Sequence, residues 1–232
     1  MSPYRAARAS LSRYLPYSRL SKIYHKFSDF TMMPERVYVH TLQIAETAVG
    51  LEGCVVECGV WRGGTAAGLL SVLGASRKLY LFDSFEGLPP ARQIDGEAAL
   101  EYQKNTKNPW YLDNCYAPPC YAERAMELAG ASNYEMVKGW YDQTLPQFRV
   151  AQPIAVLHLD ADWYDSILTC LNHLFDRVAA GGLIIVDDYY VWDGCSRALH
   201  DYLSKRSAVE RIREFGGVCY LKKVTPNMHL DQ

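Results

Sequence analysis

Val55-Val56-Glu57-Cys58-Gly59-Val60-Trp61-Arg62-Gly63-Gly64-Thr65 decides how this chain is read. Val55–Cys58 has the length and composition of a short buried strand, and Gly63–Leu73 has the composition of a helix. The glycines between them allow the tight turn that joins the two. A strand running through a glycine turn into a helix opens a βαβ unit. Working outward, the alternation repeats. Strands are expected over Lys78–Phe82, Tyr134–Val137, Ile154–Leu159, Gly182–Val186 and Val218–Leu221. Helices are expected over Tyr121–Ala129, Ser166–Val178 and Ser196–Leu203. Ile167, Leu168, Leu171, Leu174 and Phe175 share one 3.6-residue face, and Gly182–Val186, wholly apolar, reads as central. Repeated strand–helix–strand units predict an α/β fold, a parallel sheet with helices on both faces.

The chain has 232 residues, 49% of them apolar and 22% charged, which fits one domain with additions and a core that needs no disulfide or structural metal. A net charge of −2 offers no general attraction to nucleic acid or membrane. Basic residues gather at the start: Arg5, Arg8, Arg13, Arg19, Lys22 and Lys26 precede the first acid, Asp29, and read as a solvated N-terminal helix or frayed tail, with an arm for a membrane surface or a partner as the other reading. No apolar stretch approaches the ~20 residues of a membrane-spanning helix, and the N-terminus lacks a secretory apolar region, so a cytoplasmic location is expected. Cys54, Cys58, Cys170, Cys195 and Cys219 lie in apolar or mixed segments as small hydrophobes, and Cys115 and Cys120 lack zinc-spaced partners. Residues 1–50 form a helical extension before the alternating part, which runs over 51–225 and leaves a tail at 226–232. Residues 89–120 break the rhythm. Rich in Pro, Asn and Tyr, with Tyr102, Trp110, Tyr111 and Tyr116, they read as a lid over the acceptor.

Three features carry chemistry. Glu57 to Gly63 has the form E-x-G-x-x-x-G rather than the dinucleotide fingerprint, and it suits a small nucleoside with a carboxylate, such as S-adenosylmethionine, set against a helix N-terminus. Asp83, at the end of the second strand, stands where an acid accepts hydrogen bonds from ribose hydroxyls. Asp160 and Asp162 follow the fourth strand and Asp187 and Asp188 the fifth, so four carboxylates converge beyond the strand ends, where open parallel sheets bind ligands. Clustered like charges are costly. A hard divalent cation, Mg²⁺, Mn²⁺ or Ca²⁺, relieves that cost and activates a hydroxyl for methyl transfer, with a nearby carboxylate taking the proton. His158 reads as a core residue or a hydrogen-bonding partner beneath the site.

These motifs resemble the macrocin O-methyltransferase family, which includes mycinamicin and novobiocin sugar methyltransferases. The resemblance rests on Val56–Gly64, on Asp83-Ser84-Phe85-Glu86-Gly87-Leu88-Pro89, on Lys138-Gly139-Trp140, on Leu159–Ser166 and on Gly181–Tyr189, with Phe30-Thr31-Met32 similar to a segment that closes over the cofactor. It implies a class I methyltransferase fold, Rossmann-like, with a mostly parallel seven-stranded sheet. It implies S-adenosylmethionine as donor, held by Thr31, Met32, Glu57, Gly59, Val60, Gly63, Gly64, Thr65, Asp83, Ser84, Gly139, Trp140 and Asp160. Asp160, Asp187 and Asp188 are implied as ligands of Mg²⁺ (or Mn²⁺), with Asp162 as general base beside Asp160. A homodimer or larger homo-oligomer acting on a glycosylated small molecule is implied as well. A polyketide or phenolic acceptor, a metal-independent N- or C-methyltransferase and a non-enzymatic nucleoside-binding module are the other readings. The last is disfavoured because a scaffold gains nothing by clustering charge.

Overall fold

The computed structural model describes residues 17–109, 111–206 and 209–224. Arg5, Arg8, Arg13, Trp110 and the 226–232 tail lie outside the described residues. Strands β1 (Cys54–Cys58), β2 (Leu79–Asp83), β3 (Tyr134–Lys138), β4 (Ile154–Leu159), β5 (Val178–Val186), β6 (Arg213–Phe215) and β7 (Val218–Lys222) form one seven-stranded sheet in the order β3-β2-β1-β4-β5-β7-β6. The first five in that order run parallel; β7 pairs antiparallel with β5, and β6 with β7.

Helices α1 (17–27), α2 (Glu35–Glu46), α3 (Gly64–Leu73), α4 (Glu97–Lys104), α5 (Leu112–Cys115), α6 (Pro119–Ala129), α7 (Tyr141–Thr144), α8 (Tyr164–Leu174) and α9 (Asp193–Lys205) complete the described elements. Because successive side chains of a strand face opposite ways, each inner strand feeds two cores. Val55, Leu81, Val156 and Ile185 pack with α1, α2, α3 and α6, and Val56, Phe82, Leu157 and Ile184 pack with α8 and α9. Both faces of β1 and β4 are therefore buried along their whole length, which is why their sequences read as apolar runs rather than alternations.

Several expectations are adjusted. The helix expected over Ser166–Val178 begins at Tyr164 and ends at Leu174; a 3₁₀ turn follows (Phe175–Arg177), and Val178 already starts β5. Cys170, not Leu168, completes the buried stripe of α8. Strand β6 was not expected, since Arg213–Phe215 is exposed throughout and shows no apolar signal. Residues 89–120 are not a plain loop: a 3₁₀ turn (Gln93–Asp95), α4 and the short turn α5 lie within them, and α6 begins at Pro119.

Candidate active site

The carboxyl ends of β1, β2, β4 and β5 open into one cavity of about 660 Å³, within the range of small-molecule sites (~300–1,000 Å³). Strand β1 ends at Cys58, and Gly59 turns at φ 89°, where a Cβ would stand 1.6 Å from the Asp160 carbonyl oxygen. The turn therefore belongs to glycine because β1 and β4 converge there. The neighbouring glycines have similar internal reasons. A Cβ on Gly63 would meet Ala122 of α6 at 3.0 Å, and one on Gly64 would meet the Phe30 carbonyl at 2.5 Å. Neither Gly63 nor Gly64 lines the cavity.

Asp83 ties the loop together. Its Oδ2 accepts the N–H groups of Val60 (2.7 Å) and Trp61 (2.9 Å), and its Oδ1 accepts that of Phe85 (2.6 Å). Trp61 sits at φ 48°, and the Arg62 guanidinium lies over its ring at 4.4 Å. Burial raises the Asp83 carboxyl, opposed by the three N–H donors. Ser84 also lines the cavity, but its hydroxyl is engaged locally, accepting from Glu86 N and donating to Gly87 O. Gly139 N–H donates to the Asp83 carbonyl at 2.9 Å, bringing Gly139 and Trp140 to the wall. Thr31, Met32, Gly59, Val60 and Thr65 line the same cavity.

Glu57 is placed elsewhere than expected. It is 1% exposed and absent from the cavity wall, and its Oε1 lies 3.2 Å from Nδ1 of His158, its register partner on β4. Burial raises its pKa first, and His158 lowers it. The acid of the E-x-G motif is thus positioned beneath the turn, without contact to the lumen. His158 is wholly buried, in the position beneath the site that its sequence context suggested.

The four aspartates do converge. Asp160, Asp162, Asp187 and Asp188 all line the cavity, and one carboxylate oxygen from each of Asp160, Asp187 and Asp188 falls within 4.8 Å of the others. Asp187 Oδ1 and Asp188 Oδ2 are buried without a hydrogen-bond partner. Burial, and then the neighbouring carboxylates Asp187 and Asp188, push Asp160 well above the usual carboxylate range; burial, then Asp162 and Asp187, do the same to Asp188. Asp187 is raised by burial. Asp162, at φ 54°, accepts Trp192 Nε1–H on Oδ1 at 3.0 Å and is pushed by burial up to about 7. The protein therefore presents buried, mutually repelling oxygens with unfilled lone pairs, a donor set that fits a hard divalent cation.

The sequence alone did not single out several wall residues. Trp192 packs edge-to-face on Trp163 (5.2 Å) and on Tyr102 (5.6 Å). Its proximity to Asp187 and Asp188, five and four positions earlier, was the available signal. Of the aromatics expected in a lid, Tyr102 lines the cavity and donates to the Tyr111 carbonyl (2.7 Å), whereas Tyr116 is exposed and away from the wall. Part of that segment is fastened to the start of α8. Asp95, 2% exposed, accepts the N–H of Tyr164, the first residue of α8, on Oδ1, and Trp163 Nε1 donates to Pro89 O.

A sheet ordered β3-β2-β1-β4-β5-β7-β6 with this cavity at its carboxyl edge defines a class I methyltransferase fold. The family of macrocin-O-methyltransferase (TylF) matches residues 27–222, and the chain belongs to that family. It is 33% identical over 177 residues to 8-demethyl-8-(2,3-dimethoxy-alpha-L-rhamnosyl)-tetracenomycin-C 4′-O-methyltransferase of Streptomyces olivaceus, covering 73% of this chain and 65% of that one. It is 30% identical over 173 residues to mycinamicin III 3″-O-methyltransferase of Micromonospora griseorubida, covering 71% of this chain and 66% of that one. The chain thus spans slightly under two thirds of these relatives' length. The solved structure of the O-methyltransferase NovP superposes with a TM-score of 0.72 at 25% identity, over 84% of this chain and 83% of that one.

Proposed function

We propose that this chain transfers the methyl group of S-adenosylmethionine to a hydroxyl of a glycosylated small molecule, with Asp160, Asp187 and Asp188 holding Mg²⁺ or Mn²⁺. The observation that carries the reading is the trio of carboxylate oxygens within 4.8 Å, two of them on groups with an orphaned buried oxygen, on the wall of a nucleoside-sized cavity. Membership in a family of O-methyltransferases supports the reaction. The names of the relatives, which place methylation at a sugar position of a rhamnosyl tetracenomycin and at the 3″ position of mycinamicin III, support the acceptor class.

The chain's own residues divide the work. Gly59, Val60 and Thr65 shape the wall beside the β1 turn, and Thr31 and Met32 cover it. Asp83 Oδ2 already accepts two backbone N–H groups and Oδ1 one, so Oδ1 keeps a lone pair for a ribose hydroxyl. Asp162 is held by the Trp192 indole through Oδ1, which leaves Oδ2 to accept the proton of the acceptor hydroxyl as its oxygen takes the methyl group. Its pKa near 7 suits a group that must gain and lose a proton near neutral pH. When bound, the divalent cation would lower the pKa of the acceptor hydroxyl and orient its oxygen. The rigid strand ends align donor and acceptor, which is most of what methyl transfer requires. A homo-oligomer in the reducing cytoplasm, consistent with seven free cysteines, completes the reading.

The test is methyl transfer from labelled S-adenosylmethionine to a panel of glycosides, by protein stripped with EDTA and then reloaded. Turnover should vanish on chelation and return with Mg²⁺ or Mn²⁺. Full turnover in EDTA would refute the role of the cation.

A further inference from the structure

Asp162 sits at φ 54°, in the left-handed region, where a residue with a side chain stays only if its surroundings hold it. The Trp192 indole holds its carboxylate, donating Nε1–H to Oδ1 at 3.0 Å. Trp192 is itself fixed from three sides. Its backbone N–H donates to the Asp188 carbonyl at 3.0 Å. Its ring meets Trp163 edge-to-face at 5.2 Å, and Trp163 is 2% exposed and anchored through Nε1–H to the Pro89 carbonyl at 2.9 Å. The third contact is Tyr102 of α4, again edge-to-face, at 5.6 Å.

These contacts come from different parts of the fold. Trp163 and Trp192 lie just beyond the tips of β4 and β5. Tyr102 belongs to α4, which brings Ala98, Glu101 and Tyr102 to the cavity wall. The Tyr102 hydroxyl donates to the Tyr111 carbonyl at 2.7 Å and lies 3.4 Å from Cys115 Sγ, which fixes the angle of the ring. The Tyr102–Trp192 pair therefore joins the outer wall of the cavity to the side chain that holds Asp162. Packing alone would be met by any large ring at position 192, but an N–H directed onto a buried carboxylate needs the indole. A hydrogen bond weakens steeply as its angle closes, so a modest turn of that indole releases Oδ1. The wall residues Gly59, Val60 and Thr65, and the carboxylates of Asp160 and Asp187, lie outside this chain of contacts.

Resting on the O-methyl-transfer reading above, we infer that Trp192 is a positioning residue for Asp162 and that Tyr102 sets Trp192, so that the base is assembled together with the α4 wall. Tyr102 acts through the indole. Without its ring, one face of Trp192 is free, Nε1–H leaves Oδ1, and Asp162 no longer presents Oδ2 to the acceptor hydroxyl.

The experiment compares the full-length wild type with Trp192→Phe, Tyr102→Leu and the double variant. The acceptor is whichever glycoside of the panel above the wild type methylates fastest. Each single variant should lose at least about tenfold in kcat. The KM for S-adenosylmethionine, and S-adenosylhomocysteine affinity by calorimetry, should stay within about twofold, because neither substitution reaches the β1 turn. The double variant should lie within about twofold of the slower single one, since both act through one hydrogen bond. The second readout needs no acceptor: nitrogen-15 spectra of the indole N–H groups with S-adenosylhomocysteine and Mg²⁺ bound. The resonance that Trp192→Phe removes should exchange its proton at least about tenfold faster in Tyr102→Leu. Losses that multiply in the double variant would make Tyr102 a direct acceptor contact and overturn the proposal. Unchanged proton exchange in Tyr102→Leu, or loss of S-adenosylhomocysteine affinity in Trp192→Phe, would overturn it as well. A wild type that turns over while Trp192→Phe keeps pace with it overturns the proposal alone. A wild type that methylates no glycoside at all removes the methyl-transfer reading, and the proposal with it.

Discussion

Asp188 is 8% exposed and still carries an oxygen that no hydrogen bond reaches. With Asp160 and Asp187 it forms a knot of acids that burial holds above the ordinary carboxylate range. The consequence for stability has a definite sign. The folded cluster retains protons that the unfolded chain releases above about pH 4, so the metal-free protein should lose stability as pH rises from about 5 to about 8. Asp162, raised to about 7, contributes in the same direction. Urea unfolding in EDTA at pH 5.5 and pH 8 checks this, and a flat or rising trend would refute the repulsion. Asp188→Asn should weaken the trend, leave the fold intact and abolish Mg²⁺ binding by calorimetry. At this scale the sequence was informative about position and less so about role. The aspartates could be placed at strand ends from the apolar runs preceding them. Glu57 could not be assigned its place under the turn, because its pairing with His158 depends on the register of two strands that are distant in sequence.

Among the elements, the inner strands were legible because both faces of each are buried, and α8 because its stripe repeats at helical spacing. Strand β6 and helix α4 were not. The first is three exposed residues joined to β7 by Gly216 and Gly217, and the second is a short, mostly polar helix with Ala99 as its one buried residue. The segment around α4 depends on a few specific bonds that leave no periodic trace. Asp95 is the main one: it accepts Arg92 N–H and the Tyr164 N–H at the start of α8, both at 2.7 Å. It thereby ties the cavity's outer wall to the helix that follows Asp162. Asp95→Ala removes a buried cap, and about 1–3 kcal/mol of stability should be lost. Thermal unfolding measures the loss, and an unchanged melting temperature would show that the segment is held by other contacts. Asp95→Asn, which keeps an acceptor oxygen, should recover part of it.

For the whole molecule, the two cores on opposite faces of one sheet make its carboxyl edge rigid and leave the loops beyond it to set chemistry and selectivity. The fold class followed from the alternation of strands and helices. The convergence of the four aspartates followed from the strands they end, whereas the rest of the cavity wall did not, since it is assembled from seven or more separate stretches of chain. No helix among the described residues is long and apolar enough to cross a membrane. The central claim is that acids from neighbouring strand tips gather around a cation beside the bound nucleoside. Anomalous diffraction from crystals soaked in Mn²⁺ with S-adenosylhomocysteine measures it directly. The account predicts one strong manganese peak bounded by Asp160, Asp187 and Asp188, on the side of the cavity where the cofactor sulfur lies. A map with the cofactor in place and no manganese among those three carboxylates would contradict it.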